Sequence, residues 1–254
     1  MHFLVVKSRS IKIILLMLVV CLMLCVGING TASAEVFFGY STRKVPVYCV
    51  DTDEKQVAIS FDSAWGAEKT LGILDILKEY NVTATFFLVG FWVDEYPEKV
   101  QAISNAGIEI GAHSNTHPDM TKISGSEIRE ELETSVSKIE KITNKKVEFF
   151  RPPFGAYNNS LIDTCDSLGL IPIQWDVDTL DWKGLSAKEM TDRVLKKVKN
   201  GSIILMHNNS DNILDGLRMI LDRLKLQNYK ITSVGELVLR DNYKIDRNGV
   251  QHAS

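Results

Sequence analysis

The chain has 254 residues, 45% of them hydrophobic and 24% charged, with a formal net charge of −3 and no internal repeat or low-complexity tract, which suits one domain with its own core. That balance leaves no basic footprint for nucleic acid, and no cluster of Lys and Arg points to an anionic partner. Of four cysteines, Cys49 and Cys165 lie outside the N-terminal apolar region, too far apart in sequence for a metal-type spacing, which leaves a disulfide or two buried thiols open.

Lys7, Arg9 and Lys12 precede an apolar run from Ile13 to Ile28, and Asn29, Gly30 and the small-residue sequence Ala32-Ser33-Ala34 follow it. A basic start, an apolar core and an A-x-A site make residues 1–34 a secretory signal peptide, cut between Ala34 and Glu35. The alternative is an uncleaved anchor, since the run falls slightly short of the ~18 apolar residues that mark a bilayer span. Either way the working part of the chain lies outside the cytoplasm, secreted or in the cell envelope. It meets a membrane only through this segment, and only if the segment stays uncleaved. Cleavage removes three basic and no acidic residues, leaving 26 basic against 32 acidic side chains and a net charge of −6.

Residues 35–55 form an N-terminal segment in which Val45-Pro46-Val47-Tyr48-Cys49-Val50 reads as an edge strand, because its Pro would break a central ladder. Asp51 to Lys55 turns the chain into a strand over Val57–Phe61 that ends at Asp62. Apolar spacing predicts a helix over Glu68–Tyr80, then a β-rich run Thr83–Val89 closed by Gly90, then a helix over Tyr96–Asn105. A strand over Ile108–Gly111 leads to His113, and a Ser124/Glu127 capping box opens a helix over Ser124–Ile142. Val147–Phe150 is the next strand, followed by a helix over Leu161–Leu168, a strand over Leu170–Trp175 and an acid-rich loop, Asp176–Trp182. Helices over Ser186–Val198, Asn212–Leu226 and Val234–Leu239 enclose strands at Gly201–Met206 and Tyr229–Thr232.

Strand and helix thus alternate about seven times, which calls for a parallel sheet. The expected fold is α/β, a single domain over residues 56–239 built as an irregular barrel of about seven parallel strands. Residues 240–254 read as a polar, loosely ordered tail.

Two histidines four apart, His113 and His117, can bring both imidazoles to one metal ion. Pro118 disfavours helical geometry at His117 and places the pair on a loop. Ser114 stands where a zinc-protease helix needs a Glu, which sets that alternative aside. Asp62, His113, His117, Arg151, Asp181 and His207 all fall just after predicted strands, hence on one rim of a barrel.

Ser60-Phe61-Asp62-Ser63, His113-Ser114-Asn115-Thr116-His117, Arg151-Pro152-Pro153-Phe154-Gly155, Asp178-Thr179-Leu180-Asp181-Trp182 and Leu205-Met206-His207 resemble, in order and spacing, five motifs of the polysaccharide deacetylase family. That family is also called carbohydrate esterase family 4, or the NodB-homology domain. The resemblance runs from about Val57 to Leu239, and the continuation Ala64-Trp65-Gly66 is most similar to the sporulation-associated PdaB-like branch. It implies an exported, metal-dependent N-deacetylase acting on an N-acetylated cell-wall glycan, peptidoglycan or a chitin-like oligosaccharide, in sporulation. By that resemblance Asp62 is the general base, His207 the acid that protonates the leaving amine, Asp181 the group that tunes it, and Arg151 the holder of Asp62. His113 and His117 hold a divalent ion, Zn²⁺ or alternatively Co²⁺, while Phe154 contributes a backbone N–H to the oxyanion and Trp182 and Leu205 wall the acetyl pocket.

One position departs from the family pattern: Ser63 stands where the third metal ligand is an Asp. A neutral hydroxyl is a poor ligand for a divalent ion. The alternative is therefore a weak or inactive glycan-binding or envelope-structural protein on the same fold.

Overall fold

The computed structural model describes residues 12–19 and 43–254. Residues 12–19 are helical, within the N-terminal apolar run, and belong to a unit separate from Arg43–Ser254. The expected cut between Ala34 and Glu35 lies outside the described residues, and among those described no helix is long and apolar enough to cross a membrane.

Within Arg43–Ser254 the strands are β1 (Cys49–Val50), β2 (Gln56–Ser63), β3 (Thr85–Leu88), β4 (Glu109–Ala112), β5 (Phe149–Phe150), β6 (Ile171–Pro172), β7 (Val177–Asp178), β8 (Ile203–His207), β9 (Lys230–Thr232), β10 (Tyr243–Ile245) and β11 (Val250–Ala253). The helices are α1 (Thr70–Glu79), α2 (Gly90–Glu95), α3 (Pro97–Asn105), α4 (Gly125–Thr143), α5 (Asn159–Leu168), α6 (Ala187–Lys197), α7 (Ile213–Leu226) and α8 (Val234–Leu237).

The apolar run Val57-Ala58-Ile59 continues through Phe61 as a strand buried on both faces, the signature of a parallel sheet with helices outside it. Seven parallel strands in the order β6-β5-β4-β3-β2-β8-β7 curl into the expected irregular barrel, whose path ends at β6 and β7. Ala58 pairs with both Ile203 of β8 and Thr232 of β9, so β9 lies on the side of β2 opposite β8 and takes the lower half of the edge that β3 shares. The Ser124/Glu127 capping box forms as expected, and Ser186/Glu189 and Ser233/Glu236 start α6 and α8 in the same way.

The structure departs from the sequence reading in four places. Gly90 opens α2 instead of ending a strand, because its backbone N–H is held by the Ser114 carbonyl and a side chain there would meet Asn115. The acid-rich loop contains β7, zipped to β8 through Val177↔Ile204, whereas the run from Leu170 shortens to β6. The edge strand is confined to Cys49–Val50, with Val47 making a single bridge to Ile173. Residues 240–254 are not a loose tail: β11 pairs antiparallel with β10 and parallel with β1, and buried Gln251 exchanges hydrogen bonds with the Leu239 backbone. The turn of this hairpin is set by Asp246 Oδ1, which accepts from the N–H groups of Asn248 and Val250, and by Gly249 at φ 81°. Cys49 and Cys165 are both buried free thiols, so the disulfide alternative is closed.

Candidate active site at the barrel rim

Strand register assembles the site. Asp62, near the end of β2, is the cross-strand partner of His207 on β8, and Arg151 follows Phe150, which partners Ala112 beside His113. The chemistry-bearing side chains therefore meet at the C-terminal end of the sheet, as the sequence order implied.

Arg151 is fully buried and stands behind Asp62. Its guanidinium donates to Asp62 Oδ1 at 2.8 Å, to Ser60 Oγ at 2.9 Å and to the Gln174 carbonyl at 3.1 Å, and it lies 4.1 Å from the centroid of the Phe87 ring. Burial alone would raise the Asp62 pKa, but the charge of Arg151 first, with smaller contributions from His113 and His207, overrides it and holds the carboxyl below the usual range. Asp62 is thus a carboxylate at neutral pH, fixed in direction by its partner.

His113 Nδ1 lies 2.7 Å from the Arg151 carbonyl, which can only accept, so Nδ1 carries the proton and Nε2 keeps its lone pair. That lone pair faces Asp62 Oδ2 at 3.6 Å, and burial holds the imidazole neutral by lowering its pKa. A neutral nitrogen and a carboxylate oxygen facing one another repel unless a cation sits beside them.

His117, in left-handed backbone geometry at φ 61°, is gripped edgewise by Trp65 at 5.0 Å and Phe154 at 4.7 Å, and its ring centroid is 5.0 Å from that of His113. Burial first, and then His113, lower its pKa to about 4. The loop between the histidines hangs on Glu131 of α4, whose carboxylate accepts the Asn115 and Thr116 N–H groups at 2.7 and 2.8 Å and the Thr116 hydroxyl at 2.6 Å. Sequence reading missed Glu131, because a Glu on a helix face reads as solvated.

Across the rim, His207 is fastened to Asp181 twice. Its backbone N–H donates to Asp181 Oδ2 at 2.7 Å and its Nδ1 to Oδ1 at 2.8 Å, while the Ser210 hydroxyl and the Trp182 N–H donate to the same carboxylate. Burial pulls the His207 pKa down, but the Asp181 hydrogen bond and charge, then Asp62 and Asp178, outweigh it and raise the value above 6.5. Asp178 does not cap α6: its Oδ1 accepts from the Leu180 N–H at 2.8 Å, and the helix start is held by the Ser186/Glu189 box.

A cavity of about 700 Å³ is lined by Asp62, His113, His117 and His207. Trp182 and Leu205, the two expected wall residues, line it together with Phe154, and Trp65, Trp175, Asn209 and Ser210 join them without having been singled out as site residues. Arg151 and Asp181 do not line it; they act from behind Asp62 and His207.

The two imidazoles suit a divalent ion: both are neutral, and His113 presents a lone pair beside a carboxylate. The third position does not match. Ser63 is buried, lies outside the cavity lining, and its hydroxyl oxygen has no hydrogen-bond partner, so it offers at most a weak, neutral oxygen. Among the described residues no group of three or more His, Cys, Asp or Glu side chains could hold a metal ion.

A family model described as polysaccharide deacetylase matches residues 50–173. A peptidoglycan-N-acetylglucosamine deacetylase of Bacillus cereus is 35% identical over 172 residues, 68% of this chain and 62% of the relative. The peptidoglycan-N-acetylmuramic acid deacetylase PdaA of Bacillus subtilis is 31% identical over 202 residues, 78% of this chain and 77% of that protein. The chain spans less than two thirds of the first of these two relatives. In solved structures it is similar to a CE4 family pseudoenzyme from Bacillus anthracis, with a TM-score of 0.74 and 37% identity, covering 83% of this chain and 73% of that one. A mutant of that pseudoenzyme with restored enzymatic activity matches at a TM-score of 0.74 and 39% identity, covering 78% of this chain and 71% of that one.

Proposed function

Because the chain belongs to the polysaccharide deacetylase family, carbohydrate esterase family 4, we propose that it removes acetyl groups from the amide nitrogens of an N-acetylated cell-wall glycan, peptidoglycan or a chitin-like oligosaccharide. The observation that carries this reading is the pairing of Asp62 with His207 across β2 and β8: one is held ionised and the other has a raised pKa, and both line one cavity. Amide hydrolysis needs a base on one side of the carbonyl carbon and an acid on the other, and a binding protein needs neither.

In this mechanism Asp62, aimed by Arg151, takes the proton of the attacking water. The Phe154 N–H stabilises the oxyanion, and Trp182 and Leu205 enclose the acetyl methyl group. His207, kept protonated by Asp181, passes its proton to the departing amine. Members of this family are generally dependent on a divalent metal. His113 and His117 would hold such an ion, Zn²⁺ in our reading, which would supply polarisation of the carbonyl and a more acidic water. The signal peptide over residues 1–34 delivers the protein to the cell envelope, and the Asp62-Ser63-Ala64-Trp65-Gly66 stretch supports a place in sporulation.

A second reading, a glycan binder with little or no turnover, is favoured by one observation, the partnerless Ser63 hydroxyl in the third ligand position. Its structural neighbour from Bacillus anthracis is called a pseudoenzyme. Acetate release from peptidoglycan and from chitooligosaccharides, with and without added Zn²⁺, separates the two. Turnover that Asp62→Asn abolishes supports the enzyme. Glycan binding with no acetate at any zinc concentration supports the binder.

A further inference from the structure

Within Arg43–Ser254 the exposed large apolar side chains include three aromatics, Trp65 at 67%, Phe154 at 70% and Trp182 at 59% relative exposure, and all three line the active-site cavity. Phe154 and Trp182 already have roles at the acetyl group. Trp65 touches His117 but has no role at the acetyl group, and its turn is held in place.

The turn that carries it is clamped. The Gly66 carbonyl accepts from Trp92 Nε1 at 2.8 Å and from Asn208 Nδ2 at 2.9 Å. Gly66 sits at φ 67°, and a Cβ there would lie 2.1 Å from Asn209 Nδ2. On this fixed turn the Trp65 ring stands edge-on to His117 at 5.0 Å and tilted against Phe91 at 6.2 Å, with most of its surface left in water. A tryptophan used for packing would be buried, as Trp92 is in the same corner of the fold. An indole held rigid and exposed beside a reaction centre is suited to stacking on a neutral, C–H-rich ring face, which its negative π-face attracts. The cavity, at about 700 Å³, falls among sites for ligands larger than one acetylated amine.

We propose that Trp65 is a specificity-determining residue that stacks on a sugar ring next to the one being deacetylated, so that the site takes a chain of N-acetylated sugars and discriminates against the free monosaccharide. This inference rests on the deacetylase reading. The test is calorimetric binding of N-acetylglucosamine and of chitopentaose to the full chain and to its Trp65→Ala and Trp65→Phe variants, with thermal unfolding to show that each variant is folded. The parent should bind the oligosaccharide more tightly than the monosaccharide. Trp65→Ala should weaken the oligosaccharide by roughly tenfold, the scale of losing an aromatic anchor, and leave the monosaccharide unchanged. Trp65→Phe should keep most of the parent's affinity. Equal oligosaccharide affinity in Trp65→Ala and parent overturns the proposal while the deacetylase reading stands, as does an equal loss for both sugars. If the parent binds neither sugar and releases no acetate from either, the deacetylase reading itself fails, and the role of Trp65 with it.

Discussion

The two sides of this rim are built to different standards. On the acid side His207 and Asp181 close on one another, with Ser210 and the Trp182 N–H completing the carboxylate's partners. On the imidazole side His113 is anchored through the Arg151 carbonyl, but His117 is held by ring edges and a left-handed backbone, and Ser63 has a buried oxygen with no partner. Buried polar groups are stable when satisfied and costly when not. The contrast therefore locates the weak point of the proposed enzyme: proton transfer is preorganised, and ion retention is not.

The largest effect is expected at Asp62, which serves both sides. Asp62→Asn should lower acetate release by about 10²–10⁴-fold, the range for a general base. It should also destabilise the fold, because Arg151 is fully buried and would keep its charge without its partner. Breaking such a pair costs roughly 3–5 kcal/mol, at the lower end here since Asn can still accept a hydrogen bond. Denaturant unfolding and acetate release on the same preparation measure the two. Full stability in the variant would mean that the pair is not the structural link described here.

Ser63→Asp tests the weak side. It puts a charged oxygen at the departed ligand position, and Zn²⁺ affinity should rise by roughly tenfold or more, since even groups behind the ligands change it by about 10–100-fold. Without zinc the variant should be less stable than the parent, because the new carboxylate is buried close to Asp62; added zinc should recover the loss. Competition titrations on parent, Ser63→Asp and His113→Ala make the comparison. Equal, negligible binding by all three would remove the ion from this site.

How much of this was legible in the sequence follows the same division. Asp62, His113, Arg151, Asp181 and His207 could be placed because each follows a strand, and strand ends in a parallel barrel share a rim whatever the loops do. The expected helices formed within a few residues of their predicted bounds, with the Ser124/Glu127 box where its spacing put it. What escaped depends on contacts between distant segments. Glu131 is an ordinary helix-face Glu until the His113–His117 loop lies across it, and Trp65 is one aromatic among many until its turn is pinned by Trp92 and Asn208. The C-terminal hairpin looked like a polar tail because its order comes from β1, some 200 positions earlier, and from one buried glutamine.

A smaller effect is expected on the strong side. The raised pKa of His207 is the balance of burial, which lowers it, against the Asp181 hydrogen bond and charge, with Asp62 and Asp178 also facing the ring. Asp181→Asn removes the dominant raising group, so the His207 titration should fall and the alkaline limb of the pH–rate profile should move to lower pH with it. The sign for stability is the same. A group whose pKa is raised on folding contributes stability that is full below its unfolded value, about 6.5, and lost as pH rises through the folded value. The parent should lose stability as pH climbs through that window, and the variant should not. NMR titration of the ring protons reads the shift directly, and an unmoved His207 would dissolve the pair.

The smallest effect separates charge from hydrogen bonding within that pair. Ser210 donates to Asp181 Oδ2, the oxygen that also receives the His207 backbone N–H, and so draws off part of the carboxylate's negative charge. Ser210→Ala removes one donor and leaves the carboxylate more basic, so it should hold the imidazolium proton more firmly and move the His207 titration upward, opposite to Asp181→Asn. The lost hydrogen bond is worth about 1 kcal/mol, which should appear as a modest loss of stability with the fold intact. An upward shift with Ser210→Ala and a downward one with Asp181→Asn would show that the acid is tuned by the charge on one carboxylate. Shifts in the same direction would mean that both substitutions simply loosen the His207 backbone, and the acid side would then be no better fastened than the other.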